Sequence, residues 1–165
     1  MARVQLVNEN DEIIGDVERS ERKQSDIYRV ASAWITNSQG NVLMSQRSHT
    51  KDHNPGKWAA AASGTMEVGE TYDSCIIKEL REELGLTSVQ PVKGQKIRVS
   101  NDYNFFCQWY LLTVDKPADE FTIQKDEVEQ VKWFGYDELA REVQQHPEHF
   151  TPSTGMIVQM FAPGA

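Results

Sequence analysis

The sequence predicts an α+β protein, or an α/β sandwich built on a mixed sheet. Its strand-like and helical segments mix without the strict alternation that βαβ units require. The length of 165 residues suits one domain that buries about two-thirds of the surface exposed by its unfolded chain. Hydrophobic residues make up 39% of the chain, which is ordinary for a globular protein. We therefore expect one domain over residues 1–165, with an N-terminal hairpin in 1–26 included.

Charge and composition exclude several classes of function. The chain has 17 Lys and Arg against 25 Asp and Glu, a formal net charge of −8, so we expect no nucleic-acid partner. No apolar run reaches the roughly 18 residues of a membrane span, and the charged segment from Arg3 to Glu18 lacks the apolar stretch of a signal peptide. Cys75 and Cys107 form no CxxC pair. That spacing predicts free thiols and a reducing, cytoplasmic location with no membrane partner.

The strand-like stretches combine apolar residues with flanking turn residues. They are 3–6, 13–14, 28–36, 41–47, 95–100, 103–114 and 128–134. The first two flank a polar turn and predict the N-terminal hairpin, and a charged surface connection follows at 19–26. Residues 49–70, which contain three glycines and a proline, predict a long loop, and such loops are usually functional in compact domains.

The clearest helical segment is 71–84, and 137–145 and 153–161 predict two later helices. Thr71 is a good N-cap residue, and Gly85 stands where a left-handed residue commonly ends a helix. At about 100° per residue, four apolar side chains fall on one face and predict its buried stripe. These are Ile76, Ile77, Leu80 and Leu84.

Three glutamates break the local rules of this helix. Glu79, Glu82 and Glu83 are spaced i, i+3, i+4, so their carboxylates share one face and repel by roughly a few tenths of a kcal/mol per pair. They also lie in the last turns, where the helix dipole favours cations. A divalent cation would reverse both penalties, and Mg²⁺ prefers oxygen ligands of this kind. The alternative is a solvated acidic face balanced by Lys78 and Arg81.

The segment from Gly64 to Leu86, GTMEVGETYDSCIIKELREELGL, resembles the Nudix box, G-x5-E-x7-R-E-U-x-E-E-x-G-U, in which U is an apolar residue. Eight of its nine fixed positions match, namely Gly64, Glu70, Glu79, Leu80, Glu82, Glu83, Gly85 and Leu86. Lys78 replaces the usual arginine of the family. Because lysine lacks the planar fork of arginine, we expect a working but less rigid site.

The resemblance implies an α/β/α sandwich with a mixed sheet. It also implies hydrolysis of a nucleoside diphosphate linked to another group, with Mg²⁺ or Mn²⁺ as cofactor. Glu79, Glu82 and Glu83 would hold the metal ions, with the backbone carbonyl of Gly64 as a further ligand. Glu70 would pair with the basic residue at 78 and order the loop. Many relatives pair as dimers, and a homodimer is a state that the sequence leaves open.

The general base has more than one candidate. In the family, the group that removes a proton from the attacking water is either a box glutamate, here Glu79, or a glutamate from a later loop. Residues 126–133 offer Glu127 and Glu129 at the start of a predicted strand. Plain surface charge is the alternative explanation for both.

A second resemblance covers residues 46–58, QRSHTKDHNPGKW, which are similar to a subgroup near isopentenyl-diphosphate isomerase. In that enzyme an arginine and a lysine spaced like Arg47 and Lys51 bind the diphosphate. Two such cations suit a phosphate in an otherwise acidic chain. The isomerase also needs a cysteine and a metal-binding histidine where this chain has Ser63 and Thr65, and a serine with no adjacent base cannot replace a thiol.

Three functions follow from these resemblances. The first is a Mg²⁺-dependent hydrolase of a small-molecule diphosphate, either a nucleoside di- or triphosphate or a nucleoside diphosphate conjugate. The second is a diphosphate isomerase, and the third is a non-catalytic module that senses nucleotides. All box glutamates are present, which favours the first. Tyr103 lies where some dinucleoside polyphosphate hydrolases of the family carry a tyrosine, so it is a candidate for substrate binding.

Overall fold

A computed structural model describes residues 2–164 of the chain. Its strands are Arg3–Val7 (β1), Ile13–Glu18 (β2), Tyr28–Thr36 (β3), Val42–Arg47 (β4), Trp58–Ala60 (β5), Ala62–Thr65 (β6), Val92–Ser100 (β7), Asn104–Thr113 (β8) and Val128–Phe134 (β9). Its α-helices are Tyr72–Leu84 (α1), Tyr136–Gln145 (α2) and Thr154–Met160 (α3). These elements confirm the α+β prediction.

The strands form a small hairpin and a larger mixed sheet. β1 and β2 pair with each other, as the sequence predicts. In the larger sheet β3 runs parallel to β8, with Val30 opposite Cys107, while the other pairs are antiparallel. The chain reverses direction at Ala61, so that β5 pairs antiparallel with β4 and β6 pairs antiparallel with β3. β9 lies on the other side of β4, which brings the 121–128 segment beside the loop after β4.

Helices cover both faces of this sheet because β3 alternates between two cores. Ala31 and Ile35 pack into the core that contains Leu80 of α1. Trp34 packs into the core that contains Leu139 of α2 and Val158 of α3. The result is the helix–sheet–helix sandwich that the resemblance implies.

The predicted limits of α1 are correct because its capping residues act locally. The Thr71 hydroxyl accepts a hydrogen bond from the Ser74 amide at 3.1 Å, and Gly85 ends the helix at φ +68°. The predicted stripe is wrong at Ile77, which is 42% exposed, whereas Cys75 is fully buried. The turn of α1 at Cys75 approaches the β6 backbone so closely that the thiol lies 3.7 Å from the Gly64 carbonyl oxygen. A small side chain fits there, and the larger Ile77 turns outward.

The predicted long loop at 49–70 is wrong in its middle, where β5 and β6 lie. The run from Ala59 to Ala62 is all alanine and therefore carries no alternation of polar and apolar residues. Pairing with established strands fixes it instead, with Met44 opposite Ala60 and Ala31 opposite Gly64. Within residues 2–164, no helix combines the length and the apolar character needed to cross a membrane.

Candidate active site

The site begins where α1 crosses β6 at Gly64. A Cβ atom at Gly64 would lie 2.3 Å from Oε1 of Glu79, far inside van der Waals contact. Glycine at this position therefore lets the carboxylate of Glu79 lie directly against the β6 backbone. The strand is held there by its pairing with β3, so the contact joins the helix to the centre of the sheet.

Glu79 and Glu83, one helical turn apart, face each other across this contact. Burial raises the pKa of Glu79, and the charge of Glu82 adds to that shift, although Glu83 and Lys78 oppose it. Burial also raises the pKa of Glu83 well above its usual range, and the neighbouring Glu79 carboxylate reinforces the shift. Both carboxyl groups are therefore harder to ionise than a glutamate in water.

This arrangement fits a hard divalent cation. Two half-buried neighbouring carboxylates, both with a raised pKa, form a site with surplus negative charge when they ionise, and a bound cation would remove that surplus. All the side-chain donors are oxygens, which suits Mg²⁺ or Mn²⁺. Glu82 lies on the solvent side of the same face and is exposed.

The three box glutamates are not tightly gathered. Among residues 2–164, the group of three potential ligands whose atoms all lie within 4.8 Å is His146, Glu148 and His149. That cluster is fully at the surface, as the exposure of all three side chains shows.

Glu70 and Lys78 form an ion pair beside Glu79. The Lys78 Nζ lies 2.5 Å from Glu70 Oε1 and 3.7 Å from Glu79 Oε1. The other Glu70 oxygen accepts a hydrogen bond from the Glu67 amide at 2.9 Å. Burial lowers the pKa of Lys78, but the pairing with Glu70 outweighs that effect and leaves the pKa raised. Lysine therefore ties the loop to the helix with a single contact, where an arginine fork could make two.

The basic pair predicted to bind phosphate lies at the mouth of the β4–β5 hairpin. Arg47 ends β4, and its Nε donates to the His53 carbonyl at 2.9 Å. Lys51 Nζ lies 2.7 Å from Glu127 Oε2. The charge of Glu127 also helps to raise the pKa of Glu83, so Glu127 lies within electrostatic reach of the paired carboxylates. The structure thus brings a candidate base and a candidate phosphate ligand into contact.

Two predicted residues lie apart from this cluster. Glu129 is exposed on β9, and within the described part of the chain its side chain makes no ion pair or hydrogen bond. Tyr103 is 40% exposed in the turn between β7 and β8. Burial raises the pKa of Tyr28, and the nearby Tyr103 adds to that rise. In the part of the chain that the structure describes, neither side chain makes a hydrogen bond or an ion pair with the carboxylates on α1.

The structure also contains a polar network that sequence reasoning missed. Asp11, read from the sequence as part of a polar turn, accepts hydrogen bonds from Arg29 Nε at 2.7 Å, Tyr72 OH at 2.9 Å and Lys96 Nζ at 2.7 Å. Its positive φ of 58° is a signal that sequence patterns reveal only weakly, since aspartate tolerates this region. The network joins the N-terminal hairpin to the first turn of α1.

The sequence comparisons bear on the family. A model of the NUDIX domain matches residues 27–153. The isopentenyl-diphosphate Delta-isomerase of Ruegeria pomeroyi is 32% identical over 118 residues, which cover 68% of this chain and 65% of that protein, just under two thirds. An uncharacterised Nudix hydrolase of Listeria monocytogenes is 30% identical over 139 residues, which cover 81% of this chain and 80% of that protein.

The structural comparison bears on the fold. A crystal structure of a Deinococcus radiodurans protein is similar, with a TM-score of 0.85 and 23% identity, over 97% of this chain and 99% of that one. At this identity the likeness concerns the fold, and it confirms the mixed-sheet sandwich. The family match spans most of the chain and includes the whole segment from Gly64 to Leu86. The chain therefore belongs to the NUDIX hydrolase family, as that segment predicted.

Proposed function

We propose that this protein is a Mg²⁺- or Mn²⁺-dependent hydrolase that cleaves a diphosphate linkage in a nucleoside di- or triphosphate or in a nucleoside diphosphate conjugate. The observation that carries the proposal is the pair of half-buried carboxylates, Glu79 and Glu83, packed against Gly64. Glu79, Glu82 and Glu83 would hold the cation, with the Gly64 carbonyl as a further ligand. When bound, the cation offsets the charge of the diphosphate and lowers the pKa of an adjacent water.

Arg47 and Lys51 would bind the diphosphate. One nitrogen of the Arg47 guanidinium is used by the His53 carbonyl, and within residues 2–164 the other two make no hydrogen bond or ion pair. They can therefore grip a phosphate with two donors. In a chain with a net charge of −8, this local pair is what offsets repulsion of an anionic substrate.

Glu127 would act as the general base, with Glu79 as the alternative. In the free protein Lys51 neutralises Glu127, because the two groups form an ion pair at 2.7 Å. Both side chains are partly exposed, at 28% and 38%, so breaking the pair costs only about 0–1 kcal/mol. A diphosphate that draws Lys51 away would free the Glu127 carboxylate to take a proton from water. The water oxygen then bonds to phosphorus, the bridging P–O bond breaks, and the leaving phosphate carries the electron pair.

Isomerisation is the second candidate, because the Ruegeria pomeroyi relative bears an isomerase name. The residues of this chain argue against it. Ser63 stands at the position of the isomerase cysteine, and its hydroxyl lies 2.8 Å from that of Ser32. The nearby Cys107 donates to Ser32 at 3.3 Å, and burial raises the pKa of its thiol to about 12. A thiol that stays protonated is a poor acid–base catalyst near neutral pH.

Phosphorus NMR tests the proposal. Purified protein with Mg²⁺ would be mixed with nucleoside di- and triphosphates, ADP-ribose, a dinucleoside polyphosphate and isopentenyl diphosphate. New phosphate signals that require Mg²⁺ support a hydrolase, and the consumed compound identifies the substrate class. Proton NMR of the isopentenyl group, recorded in the same samples, detects isomerisation, which barely changes the phosphorus spectrum.

Two matched variants test whether turnover depends on the carboxylates of the site. Glu83→Gln should abolish turnover, whereas Glu138→Gln, an exposed change on α2, should leave it intact. Turnover that survives Glu83→Gln would contradict the proposal. Binding of a nucleotide without turnover by the wild-type protein would favour the sensing module.

We place the protein in the cytoplasm because both thiols are free, and homodimer formation stays a prediction.

A further inference from the structure

We infer that Gln5 of the N-terminal hairpin is a positioning residue for the metal site, acting through the backbone of the loop between β6 and α1. This inference rests on the proposed function, because it concerns the carboxylates assigned there to the cation. Gln5 is only 4% exposed, and glutamine is rarely buried unless its amide is fully hydrogen-bonded.

The Gln5 amide nitrogen holds two points of the loop. It donates to the Glu67 carbonyl at 3.1 Å and to the Glu70 carbonyl at 2.9 Å. The hairpin backbone adds a third contact, from the Val68 amide to the Arg3 carbonyl at 2.9 Å. The N-terminal hairpin therefore holds the backbone of the β6–α1 loop at Glu67, Val68 and Glu70.

The orientation of the Gln5 amide is itself fixed. Its oxygen accepts from Arg29 Nη1 at 3.2 Å, while Arg29 Nη2 binds the Asp11 carbonyl at 2.6 Å. Because a guanidinium only donates, the oxygen of Gln5 must face Arg29 and the nitrogen must face the loop. The Asp11 network thus sets which end of the amide reaches Glu67 and Glu70.

A short chain of contacts leads from Gln5 to the metal site. Gln5 holds the backbone of Glu70, whose carboxylate pairs with Lys78 at 2.5 Å. Lys78 lies 3.7 Å from Glu79. Since Lys78 makes a single contact with Glu70, the loop depends on its backbone anchors to hold that carboxylate in place. Gln5 supplies two of them from outside the sequence segment that resembles the Nudix box.

The test measures Mn²⁺ binding by electron paramagnetic resonance and amide exchange of Val68 and Glu70 by NMR. Gln5→Met keeps the volume but removes both donors, and Gln5→Glu keeps an acceptor for Arg29 but also removes them. Both variants should weaken Mn²⁺ binding about tenfold, the effect of losing roughly 1.4 kcal/mol. Both should also speed exchange at the two amides and lower kcat more than they raise KM.

Val7→Ala is the matched control. Val7 is buried at 1% exposure in the same strand, and its backbone amide binds Ile27 rather than the loop. This variant should lose thermal stability while keeping wild-type Mn²⁺ affinity. The inference is overturned if Gln5→Met binds Mn²⁺ like the wild type, or if Val7→Ala weakens binding equally. A wild-type protein that binds Mn²⁺ but hydrolyses nothing defeats the proposed reaction alone, whereas one that binds no Mn²⁺ defeats both.

Discussion

Beside the first turn of α1, the buried Asp11 carboxylate accepts hydrogen bonds from Arg29, Tyr72 and Lys96. About two and three turns further along the helix, Glu79 and Glu83 face each other. Burial alone would raise the pKa of Asp11, but hydrogen bonds from Lys96, Arg29 and Tyr72 outweigh it and leave the pKa lowered. The pKa values of Glu79 and Glu83 are both raised.

The two regions differ in how the protein neutralises their negative charge. Asp11 is compensated by cations of the protein itself, so it stabilises the fold. The α1 carboxylates lack such compensation apart from Lys78, so in the absence of a ligand they destabilise the fold. A protein that can surround one buried carboxylate with three donors leaves the other pair open, and this contrast supports an external cation at Glu79 and Glu83. The predictions below test that contrast.

The largest effect is expected on turnover when the carboxylate pair on α1 is changed. Glu79→Gln removes one charge of the pair and one candidate base, so kcat/KM with Mg²⁺ should fall at least about 10²-fold. Steady-state kinetics on the substrate identified by phosphorus NMR measure the loss. A decrease of only a few-fold would mean that the pair has no part in the reaction, and Glu138→Gln serves as the unaffected comparison.

At Asp11, whose charge is neutralised by neighbouring cations, we expect a change in the free energy of unfolding. Asp11→Asn keeps a side chain that tolerates positive φ but leaves Arg29 with an unpaired charge. We expect a loss of about 2–3 kcal/mol, below the roughly 3–5 kcal/mol of a fully buried pair, because Lys96 is 42% exposed. Urea unfolding measures this loss. It should correspond to a fall of about 5–10 °C in melting temperature for a chain of this size.

The pH dependence of the Asp11 contribution has a definite sign. A lowered pKa in the folded state adds stability above the unfolded pKa of about 3.9, and that stability disappears as the pH falls through the folded pKa. Asp11→Asn should therefore lose little further stability in acid. A wild-type and a variant protein with parallel stability profiles between neutral and acidic pH would contradict the role given to Asp11.

A smaller effect of opposite sign is expected at Glu83. In metal-free protein near pH 8, Glu83→Gln should raise the free energy of unfolding by roughly 0.3 kcal/mol or more, the cost of an exposed like-charged i,i+4 pair. The pKa of Glu83 is raised in the folded protein. The stability that protonated Glu83 contributes to the wild type is therefore fully present below the unfolded pKa of about 4.3, and it is lost as the pH rises through the folded pKa. Calorimetry across that range measures it, and Mn²⁺ should stabilise the wild type more than the variant.

Sequence predicted the parts of the site that are local. Thr71 and Gly85 limit α1 through capping chemistry within a few residues, and the i, i+4 spacing alone places Glu79 beside Glu83. Lys51 and Glu127 are 76 residues apart, and their contact depends on β9 pairing with β4. No local pattern encodes that pairing.

The hairpin contacts escaped prediction for a different reason. Gln5 is polar and lies in a strand, where alternation would place it at the surface, and the buried partner that satisfies it comes from a distant loop. The alanine run before Gly64 hid β5 and β6, because small uniform side chains give no periodicity. Cys75 replaced Ile77 in the stripe because the contact with Gly64 selects a small side chain, which a helical wheel does not show.

A small stability effect is also expected at the Lys51–Glu127 pair, which is intermediate between the two regions. Each charge of this pair is neutralised by its partner, as the charge of Asp11 is, but both side chains are partly exposed. Lys51→Met should therefore change the free energy of unfolding by less than about 1 kcal/mol. The same change removes a charged donor to the diphosphate, so KM should rise about tenfold while kcat changes less. Chemical unfolding and steady-state kinetics on one preparation measure both. A large loss of stability with an unchanged KM would show that the pair is structural, and Glu127 would then lose its place as the base that substrate binding releases.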